Sequence, residues 1–203
     1  MHPRKILVKL LFALAALSVF VFSYYLGNRY ARPGHDTLQA FMLPTPQEIT
    51  SFNLVDKEGK VFNEKSFEGH WNFVMAGDLM DENCRSLLVR YVLAWNYLAA
   101  DPKLQKKTRV VFLDLSDPSM PPEQLKKAID FFNPAFTALG GPDPERSKLA
   151  RQLGISKATL DRGTECDSQN SVVALINPDG YLLALFTAVT DPAVIAKDLR
   201  FFQ

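Results

Sequence analysis

Few residues of this chain could do redox or soft-metal chemistry. Among 203 residues there are two cysteines, Cys84 and Cys166, and three histidines, at positions 2, 35 and 70. Two cysteines are too few for a disulfide framework or a zinc finger. The histidines are too widely separated along the chain to predict a multi-histidine metal site. Thiol chemistry in this protein therefore depends on Cys84 and Cys166.

Cys84 stands where a helix is predicted to begin. The segment Cys84–Ala99 repeats its large apolar side chains at helical spacing, and Asp81, Glu82 and Asn83 are typical of a helix cap and first turn. A thiol at a helix N-terminus has a lowered pKa and is more reactive. Thioredoxin-type oxidoreductases, however, use a C-x-x-C motif, which this sequence lacks. The sequence predicts, at most, weak thiol–disulfide chemistry at Cys84 and no other enzyme activity.

The overall composition excludes two classes of protein. Lys and Arg number 23 against 22 for Asp and Glu, a formal net charge of +1, and there is no long basic run that would bind nucleic acid. The hydrophobic fraction of 47% is too high for a disordered chain. The length suits one soluble domain of ordinary size with an appendage.

An uncharged run near the N-terminus predicts that this appendage is a membrane anchor. Leu10–Leu26 contains 17 residues without a formal charge, and it ends in bulky aromatic residues instead of a small-residue cleavage site. Three basic residues precede the run and two follow it, which favours a cytoplasmic N-terminus. We expect residues 1–5 in the cytoplasm and an uncleaved, single-pass transmembrane helix at residues 6–27 in the inner (cytoplasmic) membrane.

The rest of the chain is expected on the exported, periplasmic side, in an oxidising compartment. Residues 28–47 contain three prolines and a glycine without apolar periodicity, and they are predicted to form a linker. Residues 48–203 then form the soluble domain.

Within this domain, strand and helix patterns alternate. Strands are predicted at 52–55, 61–62, 72–76, 109–115, 171–176 and 181–186, and helices at 84–99, 122–132, 145–153 and 191–200, with a loop at 133–144. The first two strands form a hairpin, as do the last two. Strand, helix, strand, helix, hairpin and helix is the order of a thioredoxin fold, so the predicted class is α/β, thioredoxin-like, with an added N-terminal β-hairpin and a preceding transmembrane helix.

Three segments carry a family resemblance. FNLVDKEGKVFNEKSFEGHWNFV, RVVFLDLSDP with the following PEQLKKAIDFFNPAFTALGG, and ALINPDGYLLALF resemble, in order and spacing, the Sco/SenC proteins that assist assembly of the copper site of cytochrome c oxidase. The resemblance extends over about residues 52–199. It implies single-pass anchoring, an exported thioredoxin-like domain and copper as the metal handled.

The family's copper ligands are only partly present here. Family members bind copper through a C-x-x-x-C motif and a later histidine. Alignment of AGDLMDENCR with that motif places Met80 at the first cysteine and Cys84 at the second, while the histidine falls on Gln169. Met80 is a soft thioether donor that suits Cu(I), whereas Gln169 is a poor ligand for it. The resemblance therefore implies a degenerate copper site.

The presence of a second cysteine leaves three alternatives for the chemical state of Cys84 and Cys166. Cys166 lies in the loop that the family uses to bring its histidine to the cysteine turn, so Cys84 and Cys166 are expected to face each other. They could form a disulfide, remain unpaired thiols, or bind copper together with Met80.

Two functions follow from the resemblance. The first is assistance in the assembly of respiratory cytochrome c oxidase, by copper delivery or thiol maintenance, in contact with an oxidase subunit or another assembly factor. The alternative is a non-catalytic binding or scaffold module that has lost metal and redox chemistry. Apart from copper no cofactor is expected, and nucleic acid is not an expected partner.

Overall fold

The structure, a computed structural model, describes residues 14–24, 38–155, 166, 171–187 and 190–202. It divides the chain into two units, Met1–Leu38 and Gln39–Gln203. In the first unit, residues 14–24 form an α-helix, α1, whose side chains are exposed. The predicted N-terminus at 1–5 and the remainder of the predicted anchor at 6–27 lie outside the described residues. None of the helices described is both long and apolar enough to cross a membrane.

A mixed β-sheet forms the frame of the second unit. In chain order its described strands are β1 (Phe41–Glu48), β2 (Leu54–Asp56), β3 (Val61–Phe62), β4 (Trp71–Gly77), β5 (Thr108–Asp114), β6 (Thr137–Gly140), β7 (Val172–Ile176) and β8 (Tyr181–Thr187). Across the sheet they lie in the order β1-β8-β7-β4-β5-β6-β2-β3. Strands β4, β5 and β6 are parallel, and β7 is antiparallel to β4. The central strand β4 is buried along its whole length, which explains its continuous apolar sequence.

Helices cover both faces of the sheet. They are α2 (Glu82–Leu98), α3 (Pro102–Lys107), α4 (Pro122–Asp130), α5 (Asp143–Gln152) and α6 (Pro192–Phe201). Three begin at an aspartate whose carboxylate accepts hydrogen bonds from first-turn amides, namely Asp81, Asp101 and Asp191.

Alternation along β4 separates the core into two layers. Phe73 and Met75 point into the layer built with residues of α2, α4 and α6, whereas Val74 and Ala76 point into the layer that contains Leu149 of α5. Each face of the sheet therefore has its own apolar core. The predicted α/β order and both predicted hairpins, β2–β3 and β7–β8, are present.

The structure corrects the boundary of the predicted linker. Residues 28–47 are predicted to be a linker, but Phe41–Glu48 forms β1 and pairs with β8 at the edge of the sheet. An edge strand tolerates Pro44 and Pro46, because a proline there need not donate to a neighbouring strand. The register also shifts between Met42 and Gln47, which accommodates the prolines.

Besides β1, the sequence patterns did not predict β6 and α3. The predicted loop at 133–144 contains the short strand β6, which pairs with both β5 and β2. Helix α3 follows α2 after a turn at Asp101 and is only six residues long. Both elements are too short for apolar periodicity to distinguish them from a loop.

The hydroxyl of Tyr91 gives a prediction about stability. Tyr91 of α2 is 1% exposed, and within the described part of the chain its hydroxyl has no hydrogen-bond partner. Burial raises the pKa of this phenol above its ordinary value, because the charged form would lose its hydration. An unpaired buried hydroxyl costs about 1–3 kcal/mol. We therefore expect Tyr91→Phe, which keeps the ring packed against Phe73, to raise the free energy of unfolding by about 1 kcal/mol.

Urea denaturation measures this difference. The matched control is Tyr181→Phe, since Tyr181 is 40% exposed and its hydroxyl has access to water. This control should change stability by less than about 0.5 kcal/mol. A Tyr91→Phe protein less stable than the wild type would show that the hydroxyl is satisfied after all.

Candidate thiol and soft-metal site

The turn between β4 and α2 positions Cys84. β4 ends at Gly77, and the Asp78 carboxylate accepts a hydrogen bond of 2.8 Å from the Met80 amide. Asp81 then caps α2, accepting from the amides of Asn83 at 2.9 Å and Cys84 at 3.1 Å. The acidic residues before Cys84 thus build the turn, as helix capping predicts. Their hydrogen bonds fix Cys84 in the first turn of α2, beyond the carboxyl end of the central strand.

Cys84 and Cys166 are joined by a disulfide. Their Cα atoms lie 4.7 Å apart, within the range that a bridge requires. Cys84 is 1% exposed and Cys166 is 4% exposed, and the sulfur of Cys166 lies 3.6 Å from the carbonyl oxygen of Ala76 in β4. Of the three alternatives for the cysteines, the structure contains the bridge. In this state neither sulfur is a thiolate that could bind metal or attack a disulfide.

Met80 does not share the buried surroundings of the cysteines. Its side chain is 69% exposed and lines a surface groove of about 400 Å³ between the start of α2 and α4. Most of the groove is apolar, with two cationic side chains; its other lining residues are Leu79, Arg85, Met120, Gln124, Lys127, Ala128, Phe131 and Phe132. A thioether here is accessible to an incoming ion.

The groove contains a second thioether that the sequence did not indicate. Met120 lies 40 residues after Met80, yet both side chains line the same groove. No local motif connects them, because the fold brings them together only when α4 packs against the sheet beside α2. Phe131, 78% exposed, was missed for the same reason.

Side chains of the usual metal-ligating residues do not form a cluster among the described residues. No group of three or more His, Cys, Asp or Glu side chains there could hold a metal ion. His70 lies next to the start of β4, at the other end of that strand from Gly77, and its ring interacts with the Arg109 guanidinium at 3.1 Å. His2, His35 and Gln169 are outside the described residues. The donor atoms available near this turn are sulfurs: the thioether of Met80 and, after reduction of the bridge, the thiols of Cys84 and Cys166.

A buried carboxylate holds the loop that carries Met120. Asp114, at the end of β5, is fully buried and accepts hydrogen bonds from the Ser116 hydroxyl at 2.9 Å, the Ser119 hydroxyl at 3.0 Å and the Met120 amide at 2.9 Å. The buried guanidinium of Arg146 donates to the Asp114 and Ser116 carbonyl oxygens. Asp114 therefore has a structural role, and its carboxylate oxygens are already occupied by these donors.

Asp114→Asn should destabilise the protein. One amide oxygen must replace two carboxylate oxygens, and the new NH₂ group would face donors, so at least one buried hydrogen bond is lost. Hydrogen bonds to charged groups contribute about 1.5–3 kcal/mol each, and we expect a loss of about 2–3 kcal/mol in urea denaturation. Asp117→Asn, at an exposed position in the same loop, is the control and should have little effect. Equal stability of the two variants would contradict the role of Asp114.

Comparisons with known proteins agree on one family. The profile of SCO1/SenC matches residues 42–202. A Stutzerimonas stutzeri protein named for copper binding is 26% identical over 150 residues, which is 72% of this chain and 72% of that protein. Apo Sco1 from Thermus thermophilus has a TM-score of 0.66 at 18% identity, covering 82% of this chain and 98% of that one. Yeast Sco1 with copper bound has a TM-score of 0.64 at 18% identity, covering 78% and 93%. The thioredoxin-like Sco fold is thereby established.

Proposed function

The chain belongs to the SCO1/SenC family, and from this premise we propose that it assists the assembly of cytochrome c oxidase by handling Cu(I) through the pair Cys84 and Cys166. Family proteins act in the copper assembly of this oxidase. The observation that carries the proposal is the position of the pair, because Cys84 lies in the turn where the family motif falls and Cys166 is within bonding distance of it. The copper ion is cargo in this proposal.

The pair must be reduced before it binds copper. A partner dithiol supplies two electrons and two protons, the Cys84–Cys166 bond breaks, and the partner becomes a disulfide. Binding of Cu(I) then displaces the thiol protons, because the thiolate is the ligand form. The reduced pair could equally pass its electrons to a disulfide in an oxidase subunit, which would be thiol maintenance in place of copper delivery.

The donor set favours Cu(I) over Cu(II). Two thiolates, with the accessible thioether of Met80 close to Cys84 along the chain, are soft ligands of the kind that Cu(I) prefers. His70, the one histidine among the described residues, lies at the other end of β4 and gives the site no imidazole, the ligand that would suit Cu(II). In this proposal Cys84, Cys166 and Met80 are the copper donors, and the degenerate site stays a prediction.

The location proposed for this activity is the exported side of the inner membrane. The apolar, uncharged run within residues 6–27, with most basic residues before it, supports an N-terminal anchor. An oxidising compartment on that side would favour the disulfide in the resting protein.

Burial of the disulfide favours a second candidate function. Exposures of 1% and 4% are typical of structural cystines, whereas labile or catalytic disulfides are more accessible. In that case the protein is a binding module that keeps the family fold and contacts the oxidase or another assembly factor without metal or thiol chemistry.

Complementation separates the two candidates. In a strain that lacks this gene, the copper content of purified cytochrome c oxidase should fall, and the wild-type gene should restore it. We expect the double variant Cys84→Ser, Cys166→Ser to fail even where immunoblotting finds it at the wild-type level, whereas Ser86→Ala, an exposed position two residues from Cys84, should restore copper fully. Full restoration by the cysteine-free protein would support the binding module and overturn the copper-handling proposal.

A further inference from the structure

The groove that contains Met80 and Met120 leaves large apolar side chains in contact with water beside the disulfide. Met80 is 69% exposed and Phe131 is 78% exposed, and both line this groove of about 400 Å³. Single exposed apolar residues are normal on a protein surface, whereas a group of them in a concave surface is typical of a binding site. The groove therefore has the character of an interaction surface.

One side of the groove is a continuous face of α4 and its C-cap. Gln124, Lys127, Ala128 and Phe131 follow one another at intervals of three, one and three residues, which places them on one face of a helix. At about 1.5 Å per residue, the axial distance from Gln124 to Phe131 is about 10 Å. An extended polypeptide covers this length with about three residues. The groove therefore suits a short, extended segment of another protein.

The charged side chains that line the groove are cationic. Arg85 and Lys127 are both exposed, and neither takes part in a salt bridge with another described residue. No acidic side chain of the described residues lines the groove. The nearby carboxylates of Asp78 and Asp81 accept hydrogen bonds from backbone amides of the turn. A segment that carries carboxylates beside its apolar side chains is thus complementary to the groove.

We propose that this groove binds an acidic, apolar segment of the protein with which the chain exchanges copper or electrons. The groove is next to the bridge, because Met80 lies in the turn before Cys84 and Arg85 directly follows it. The inference rests on the proposed function, in which a partner must come within bonding distance of Cys84 or Cys166. Both cysteines are buried, so the surface that holds such a partner must consist of neighbouring side chains.

Methyl NMR locates the binding of a model peptide on the full chain, which is kept in phosphatidylcholine nanodiscs so that no detergent fills the groove. The chain has five methionines, whose methyl groups are labelled with carbon-13 and assigned with Met→Leu variants. The probe is a short peptide in which phenylalanine and leucine alternate with glutamate. We expect the signals of Met80 and Met120 to shift on titration. The signal of Met42, which is 44% exposed on the edge strand β1, should stay unchanged.

Two matched variants test the aromatic contact. Phe131→Ser removes an exposed ring that contacts Phe132, whereas Phe201→Ser removes an exposed ring that contacts Phe202 at the end of α6. Large aromatic anchors contribute most of the binding energy of an interface. We therefore expect Phe131→Ser to weaken peptide binding by about tenfold and Phe201→Ser to leave it unchanged.

A second pair of variants tests the cations. Arg85→Gln, Lys127→Gln should weaken binding by about fivefold, which is about two- to threefold for each exposed ion pair that is lost. Lys103→Gln, Lys106→Gln removes two exposed charges from a cleft beside Trp71, at the other end of β4, and should have no effect.

A peptide with lysine in place of every glutamate tests the sign of the charge. Glu82 and Glu123 are exposed and close in sequence to the lining residues, so this peptide also measures whether they attract a basic partner instead. We expect it to bind at least about tenfold more weakly than the acidic peptide. Equal or tighter binding of the lysine peptide, no shift of Met80 and Met120, or equal weakening by Phe131→Ser and Phe201→Ser would overturn the proposal.

These measurements are independent of copper handling, because the bridge is closed and copper is absent throughout. Binding of Cu(I) by the reduced chain without binding of the acidic peptide would overturn the groove proposal alone. Binding of the peptide without binding of Cu(I) would support the groove as a docking surface and overturn its link to copper exchange.

Discussion

Replacing both Cys84 and Cys166 by serine is expected to lower the free energy of unfolding by about 4–5 kcal/mol. The bridge closes a loop between residues 82 positions apart, which includes α2 to α5 and two strands of the sheet. Without the bridge, the unfolded chain gains the conformational entropy of an open loop. For a loop of this length the chain-entropy model assigns about 4.5 kcal/mol to this loss of stability. This is a large part of the stability of an ordinary domain, which is about 5–15 kcal/mol.

Urea denaturation of oxidised and reduced protein measures this contribution. The oxidised wild type should be the most stable, and a reducing agent should bring it close to the double serine variant. The variant is its own control, since reduction should not change its stability. A wild-type protein that is equally stable with and without the reductant would contradict a closed Cys84–Cys166 bridge.

Loss of Cys84 should also have the largest effect on copper binding. In reduced protein we expect Cys84→Ser to weaken Cu(I) binding by more than about 100-fold, because removal of a direct ligand exceeds the 10–100-fold effect of its supporting residues. Met80→Leu removes only a thioether and should weaken binding by about tenfold. Met120→Leu removes the other methionine of the groove and is the matched control, with no expected change.

Competition with a Cu(I) chelator gives these affinities. Cu(II) affinity, measured in the same way with a Cu(II) chelator, should lie well below that of a complete Cys/Cys/His site, since the proposed donors Cys84, Cys166 and Met80 include no imidazole. Tight, stoichiometric Cu(II) retention with a thiolate charge-transfer band would show that a different set of ligands binds the metal.

The sequence was most informative where apolar patterns are long. The strands β4 and β5 and the helix α2 were predicted within about two residues, because their burial dictates continuous or periodic apolar residues. β1 was missed because its residues are mostly exposed and include Pro44 and Pro46, which together are typical of a linker. It belongs to the sheet because its backbone pairs with β8 and Asp198 binds the amides that precede it.

For the site, local chemistry could be predicted and distant contacts could not. The capping role of Asp81 follows from its place before an apolar helix pattern, and the structure confirms it. Met120 is 40 residues from Met80 in sequence, so no spacing rule connects them. Only the packing of α4 beside α2 shows that the two side chains line one groove.

The most direct test of the account is a Cu(I) titration of the full chain in two redox states. The protein is purified with Cys84 and Cys166 either fully bridged or fully reduced, as verified by mass spectrometry after thiol alkylation. Cu(I) is then added in the presence of a competing chelator. The account predicts one tightly bound Cu(I) per reduced chain and none per bridged chain. Equal binding by both forms, or no binding by the reduced form, would contradict it.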